Sequence, residues 1–209
     1  DLRRAGQLAG PRDGERIRER HGIARDETIL VSVGRLEHNK GFHVLADALA
    51  TVADVPWRWV LVGDGSSRPV IERRVRHSGL VDRVMLVGSQ GEPALHAWYE
   101  AATLFVHPTL YEGSSIVTLE AMAHRRAVVA SHAGGLPDKV RDGHTGWLVP
   151  PGDPGALAAA LRRALAEPTR LPEMGLAGRA LVEAEFSWTA AADRLLAVFS
   201  ELLHKTRSS

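Results

Sequence analysis

The chain has 209 residues, 44% of them hydrophobic and 24% charged, which suits a globular protein large enough to bury a substantial core. Lys plus Arg number 26 against 25 Asp plus Glu, so no broad field favours nucleic acid or an anionic membrane, and any anion site must be local. There is no cysteine, which excludes disulfides and thiolate metal sites, and no apolar run approaches the roughly 18 residues of a membrane span.

Residues 1–27 are rich in Arg and Gly and do not begin with Met; they read as a linker and lead-in, the middle of a longer polypeptide or a trimmed start. From Thr28 short β-rich runs alternate with helical ones, and most end in glycine or a turn residue, the pattern of βαβ units on a parallel sheet. Strands are expected at TILVSV (28–33), WRWVLV (57–62), RVMLV (83–87), TLFVH (103–107), AVVAS (127–131) and GWLV (146–149). Helices are expected at 42–52, 68–78, 93–102 and 115–124, with a short one at 137–140. Beyond Val149, Asp153 as N-cap and Pro154 at the first helical position open a helix through GALAAALRRALA, and two more helices close the chain at 172–185 and 189–203. The fold class is therefore α/β, a Rossmann-like doubly wound parallel sheet of about six strands with C-terminal helices, over residues 28–209.

In such sheets ligands bind at the carboxyl ends of the strands. In VSVGRLEHNKG the first strand ends at Gly34, Arg35 follows, and Lys40 with Gly41 stands where the next helix opens, so two cations converge near a helix N-terminus. Taken alone, that loop reads equally as a solvated turn. Gly63 and Gly65 bracket Asp64 in VLVGDG, where glycine permits close backbone approach; without a third glycine in register this too reads alone as a tight turn. In HPTLYEGSSIVTLEAMA, Gly113, Ser114 and Ser115 enter a helix whose first amides face the strand ends, while Glu112 stands at the mouth and Glu120 inside an apolar segment. A half-buried carboxylate needs a partner, and an ion pair from Glu120 to Arg125 or Arg126 is the plain structural alternative to a ligand. Gly134 and Gly135 follow the fifth strand, with His132 beside them. No group of the ten histidines has a metal-ligand spacing, and no Asp-x-Asp occurs to hold a divalent cation against a diphosphate.

Taken in order, VGRLEHNKG, LVGDG, HPTLYEGSSIVTLEAMA, AVVASHAGGLPDKVRDGHTGWLVPPGD and the closing FSW resemble the C-terminal half of the retaining glycosyltransferases of family four, which have the two-domain GT-B fold. The resemblance implies a Rossmann-like domain that binds a UDP-, GDP- or ADP-sugar as substrate and needs no further cofactor or metal. It implies that Arg35 and Lys40 clamp the diphosphate, that Glu112 faces the transferred sugar, and that Glu120, the second acid of the Glu-x7-Glu motif, holds the ribose hydroxyls. Gly34, Gly63, Gly65, Gly113 and the backbone of Ser114, Ser115 and Ile116 would approach the donor, and base contacts would come from Ser89 and Gln90. An acceptor glycan, lipid or small molecule would bind through an N-terminal domain that this chain lacks, as would any peripheral membrane contact. Cytoplasmic location, retention of configuration and inactivity of the isolated half are the matching expectations. A nucleotide-sugar-binding module, a degenerate subunit, or a GT-B-type epimerase with acids and bases not evident here are the alternatives. The chain departs from the family pattern at HRRA (His124 to Ala127), where a small residue, Gly and Pro are usual, and at Asp138 in place of Glu. With the partner domain absent, Leu195, Leu196, Phe199 and Leu202 on the last helix are expected to lose part of their cover.

Overall fold

The structure is a computed structural model that describes residues 8–207, with side chains through Ser200. Six strands, β1 (Ile29–Val33), β2 (Arg58–Val62), β3 (Val84–Gly88), β4 (Leu104–His107), β5 (Ala127–Ser131) and β6 (Gly146–Val149), form one sheet in the order β3-β2-β1-β4-β5-β6. Every pairing is parallel; Val31 lies opposite Val60 on one side and Phe105 on the other. Strand order reverses between β1 and β4, and this switch point fixes where a ligand crevice opens.

All five residues of β1 are buried, because helices cover both faces of a parallel sheet, and its sequence is accordingly an almost unbroken apolar run. The exception, Ser32, is satisfied: its hydroxyl donates to the Val106 carbonyl at 2.7 Å and accepts from Trp59 Nε1 at 3.1 Å. The period-two alternation of the strands sorts the core into two layers. Leu30, Trp59, Leu61, Leu104, Val129 and Trp147 pack with α2 (Phe42–Ala50), α3 (Arg68–His77) and α6 (Pro154–Ala166). Ile29, Val31, Val60, Phe105 and Val128 face α1 (Pro11–Arg20), α4 (Glu92–Ala101) and α5 (Ile116–Ala123). Helices α7 (Arg170–Glu185) and α8 (Trp188–Arg207) close the chain. Asp153 caps α6 as expected, accepting from the Ala156 amide at 2.9 Å.

Two elements differ from the sequence reading. The segment expected as a linker carries α1, opened by Pro11 and by a Gly10 amide that donates to Asp13 Oδ2 at 2.9 Å. It docks on α4 so closely that a side chain at Gly14 would overlap the Glu100 and Ala101 backbone, and the Arg18 guanidinium donates to the carbonyls of Ala101 at 2.6 Å and Glu27 at 2.9 Å. Its charged composition conceals this, because only Gly14 and Ile17 of the helix are buried. Residues 137–140 form hydrogen-bonded turns instead of a helix: Lys139 and Val140 amides return to the Leu136 carbonyl, and Leu136 and Val140 are buried without a further turn being needed. On α8, Leu195, Leu196 and Phe199 are exposed, together with Trp188 and Val198; Leu202 lies outside the described side chains.

Candidate functional site

Because all strands run the same way, the loops after β1, β2, β3, β4 and β5 emerge at one edge of the sheet. Backbone hydrogen bonds knit them together: the Gly34 amide donates to the Val62 carbonyl at 3.0 Å, Leu36 to Asp64 at 2.9 Å and Gly63 to Gly88 at 2.9 Å. Across the switch point the Leu110 amide and the Thr109 hydroxyl both donate to the Asn39 carbonyl, at 2.8 and 2.9 Å. The loops interlock so tightly that Gly63 has a φ of 137° and a side chain there would overlap the Gly34 carbonyl oxygen.

Gly34, Arg35, Gly63, Asp64, Ser89 and Gln90 line one open cleft of about 180 Å³. Five of these were expected from the sequence as donor-site residues; Asp64 joins them. Arg35 is exposed at the rim, with its guanidinium free of described protein partners. Gln90 is oriented by a 2.8 Å bond from its amide nitrogen to the Val87 carbonyl. Gly65 lies outside the lining, its amide tied to Asp64 Oδ1 at 2.8 Å.

On the β4 side of the switch point, Lys40 at the end of a short 3-10 turn (His38–Lys40) meets Glu112, with Nζ 2.7 Å from Oε2. His107, the last residue of β4, donates to the same oxygen from Nε2 at 3.1 Å and lies 3.3 Å from the Ser115 hydroxyl. Hydrogen bonding from His107 first, and from Lys40, holds the Glu112 carboxyl down at about 2 from an ordinary 4.5, against the opposing effect of burial. Burial in turn lowers the His107 pKa and keeps its imidazole neutral, so Nε2 carries the proton and the buried Nδ1 has no partner. Glu112 is therefore already satisfied by the protein, and Lys40, expected as half of a diphosphate clamp with Arg35, is engaged with it.

Ser115 caps α5 by accepting from the Thr118 amide, while Gly113, Ser114 and Ile116 are exposed around that helix start. Glu120 makes no ion pair with Arg125 or Arg126; its Oε2 accepts from the Tyr99 hydroxyl of α4 at 2.8 Å. Burial and then the Glu120 charge push the Tyr99 pKa well up, so the phenol remains a donor. The loop after β5 closes the edge: the Gly135 amide donates to the Glu112 carbonyl at 3.3 Å, and Lys139, itself buried, donates to the Gly135 carbonyl at 3.2 Å. His132 is exposed and its ring makes no described contact.

Sequence reasoning missed His107, Tyr99 and a buried chain behind them in which His124 Nδ1 is 2.6 Å from Glu100 Oε1 and His124 Nε2 is 2.7 Å from His96 Nδ1. The signal for His107 is its place as a polar strand-end residue five positions before Glu112. For Tyr99 there is none, because its partner is carried by another helix.

The family model for group 1 glycosyl transferases matches residues 27–167. The chain is 34% identical to an alpha-D-kanosaminyltransferase of Streptomyces kanamyceticus, over 89% of this chain and 48% of the relative. It is 36% identical to a D-inositol 3-phosphate glycosyltransferase of Thermomonospora curvata, over 94% and 48% respectively. The sucrose-phosphate synthase of Thermosynechococcus elongatus superposes with a TM-score of 0.82 at 35% identity, covering 95% of this chain and 51% of that one. HepE of Anabaena, in a structure with UDP-glucose, gives 0.82 at 25% identity, covering 93% and 55%. The chain thus spans about half the length of the curated relatives it matches. With its family match covering most of the sequence and its six-stranded parallel sheet matching GT-B glycosyltransferases, the chain belongs to the group 1 glycosyl transferases.

Proposed function

We propose that this chain is the donor-binding half of a retaining glycosyltransferase, which binds a nucleoside-diphosphate sugar at the carboxyl edge of its sheet and transfers a hexosyl group only together with an acceptor-binding domain. The observation that carries this reading is the cleft itself: Gly34, Arg35, Gly63, Ser89 and Gln90 line it at the same edge of the sheet that carries the Lys40–Glu112 pair, on a fold shared with a protein solved with UDP-glucose.

Each part has a chemical task in this reading. The free Arg35 guanidinium holds the diphosphate through charge-assisted hydrogen bonds. Ser115 satisfies the Thr118 amide, so the first-turn amides of Ile116 and Val117, with those of the exposed Gly113 and Ser114, are left to face phosphate and sugar oxygens. Glu120, with one oxygen fixed by Tyr99, offers the other to the ribose hydroxyls. Glu112, held ionised, accepts from a sugar hydroxyl, and Lys40 beside it stabilises the charge that builds on the departing phosphate as the bond from the anomeric carbon to oxygen breaks. The acceptor hydroxyl, delivered by the other domain, loses its proton to the leaving phosphate on the same face, which retains configuration.

Calorimetric titration of the chain with UDP-, GDP- and ADP-glucose tests the reading. Saturable binding of at least one, persisting in excess EDTA, is expected; binding by none of the three overturns it.

A further inference from the structure

A second cavity, of about 470 Å³, opens at the opposite edge of the sheet, where Thr103 and Arg126 immediately precede β4 and β5. Three arginines line it, Arg18 from α1 and Arg125 and Arg126 from the turn after α5, with Leu171, Pro172 and Leu176 of α7 as an apolar wall. Arg18 and Arg126 are fixed: the first spans the carbonyls of Ala101 and Glu27, the second donates to the carbonyls of His124 and Ala102, both at 2.7 Å. Glu100, the carboxylate on the wall, is already engaged by His124 and by Arg126. Arg18 and Arg126 are thus locked in place, Arg126 with Glu100 as its counter-ion.

Arg125 differs from both. The amides of Arg125 and Arg126 return to the carbonyls of Met122 and Ala121, the glycine-type helix stop in which the residue after the cap adopts the left-handed conformation. Arg125 occupies that position with a φ of 57°, where glycine carries no strain, and it is the one non-glycine residue with positive φ among the described residues. Its side chain is exposed and has no described partner. The helix stop and the close approach of Gly175 to the Arg125 carbonyl fix this turn, and an arginine in it adds a side chain without a described protein partner to the cavity lining.

We propose that this cavity is a binding site for a phosphate-bearing amphiphile, with Arg125 as the mobile arm that closes on the phosphate, Arg18 and Arg126 as fixed charges, and the α7 wall taking the apolar part. The phosphate can belong to a soluble organic phosphate or to a lipid headgroup, and the site is separate from the donor cleft because the two open at opposite ends of the strands.

The test is a residue-resolved NMR titration of the whole chain with inorganic pyrophosphate, which distinguishes this site from the donor cleft whether or not the cleft binds nucleotides. Saturable shifts are expected at the amides of Ala101, Thr103, Arg125 and Arg126. Arg125→Gly, and Arg125→Gln, which removes the charge without freeing the backbone, are each expected to weaken them about ten-fold, the loss of a charge-assisted hydrogen bond, while Arg35→Ala leaves them unchanged. Shifts confined to the cleft around Arg35, or wild-type affinity in both Arg125 variants, overturn the proposal. Sedimentation with phosphatidylglycerol vesicles assigns the source: Arg125-dependent capture marks a lipid headgroup, and pyrophosphate binding without capture marks a soluble phosphate.

Discussion

Replacing Glu112 with Gln tests the electrostatics of the site without altering its shape. The wild-type carboxylate is held at about 2 instead of 4.5 by His107 and Lys40. At about 1.4 kcal/mol for each pKa unit, that difference is about 3 kcal/mol of stability, and the slight remaining exposure of both side chains brings the expectation to about 2–3 kcal/mol. Because the folded carboxyl is the stronger acid, this stabilisation is fully present above about pH 4.5 and is lost as the pH falls toward 2. Glu112→Gln also leaves the half-buried Lys40 without its counter-charge, so about 2–3 kcal/mol should be lost already at neutral pH. Urea unfolding of both proteins across the acid range reads both effects: the variant should start less stable and fall less steeply below pH 4.5. Equal midpoints at neutral pH, or parallel stability curves into acid, would refute the reasoning.

Three further changes probe the elements that hold the site. Gly134→Ala should cost at least about 2 kcal/mol by urea unfolding, because Gly134 has a φ of 51° and an added methyl would overlap the Glu112 carbonyl oxygen; a wild-type midpoint would contradict the tight closure of the β5 loop. Tyr99→Phe removes the 2.8 Å bond to Glu120 and should cost about 1–2 kcal/mol in stability. On the donor-site reading, Tyr99→Phe should also narrow the affinity gap between a nucleoside diphosphate and its dideoxy analogue in calorimetry, and an undiminished gap would detach Tyr99 from ribose recognition. Arg125→Gly should raise stability by about 0.5–1 kcal/mol, a gain in melting temperature of about 1–4 °C, as left-handed strain is relieved against added chain entropy; a lower melting temperature would mean that Arg125 makes a stabilising contact.

The sheet is legible in the sequence because a strand covered on both faces must be apolar throughout, and runs such as ILVSV and AVVAS, each ended by a turn or polar residue, have no competing explanation. The crossing of the strand-end loops is legible for a related reason: loops that pass at van der Waals distance require glycine at positions such as Gly63, and the sequence displays them. Partnerships across the fold are not legible. Lys40 and Glu112 are 72 positions apart and Tyr99 and Glu120 are 21 apart, and no local pattern announces either pair. The opening helix escaped for the opposite reason, since its stability lies in close backbone approach at Gly14 and in Arg18 reaching carbonyls, while its composition resembles a solvated linker. Residues 124–127 stand out in the sequence only as a departure; it takes the structure to show that His124 joins a buried chain with Glu100 and His96 while Arg125 is left strained at the surface.

The central claim, that the carboxyl edge of the sheet grips a nucleoside diphosphate through a guanidinium held free for it, is tested most directly by calorimetry of wild-type protein and Arg35→Ala with the nucleoside diphosphate that the wild type binds. Arg35 is exposed and its guanidinium has no described hydrogen-bond or ion-pair partner, so the substitution should leave stability unchanged while weakening binding by about 1.5–3 kcal/mol, the value of hydrogen bonds to a charged group. Wild-type affinity in Arg35→Ala, or a wild-type chain that binds no nucleoside diphosphate, would contradict it.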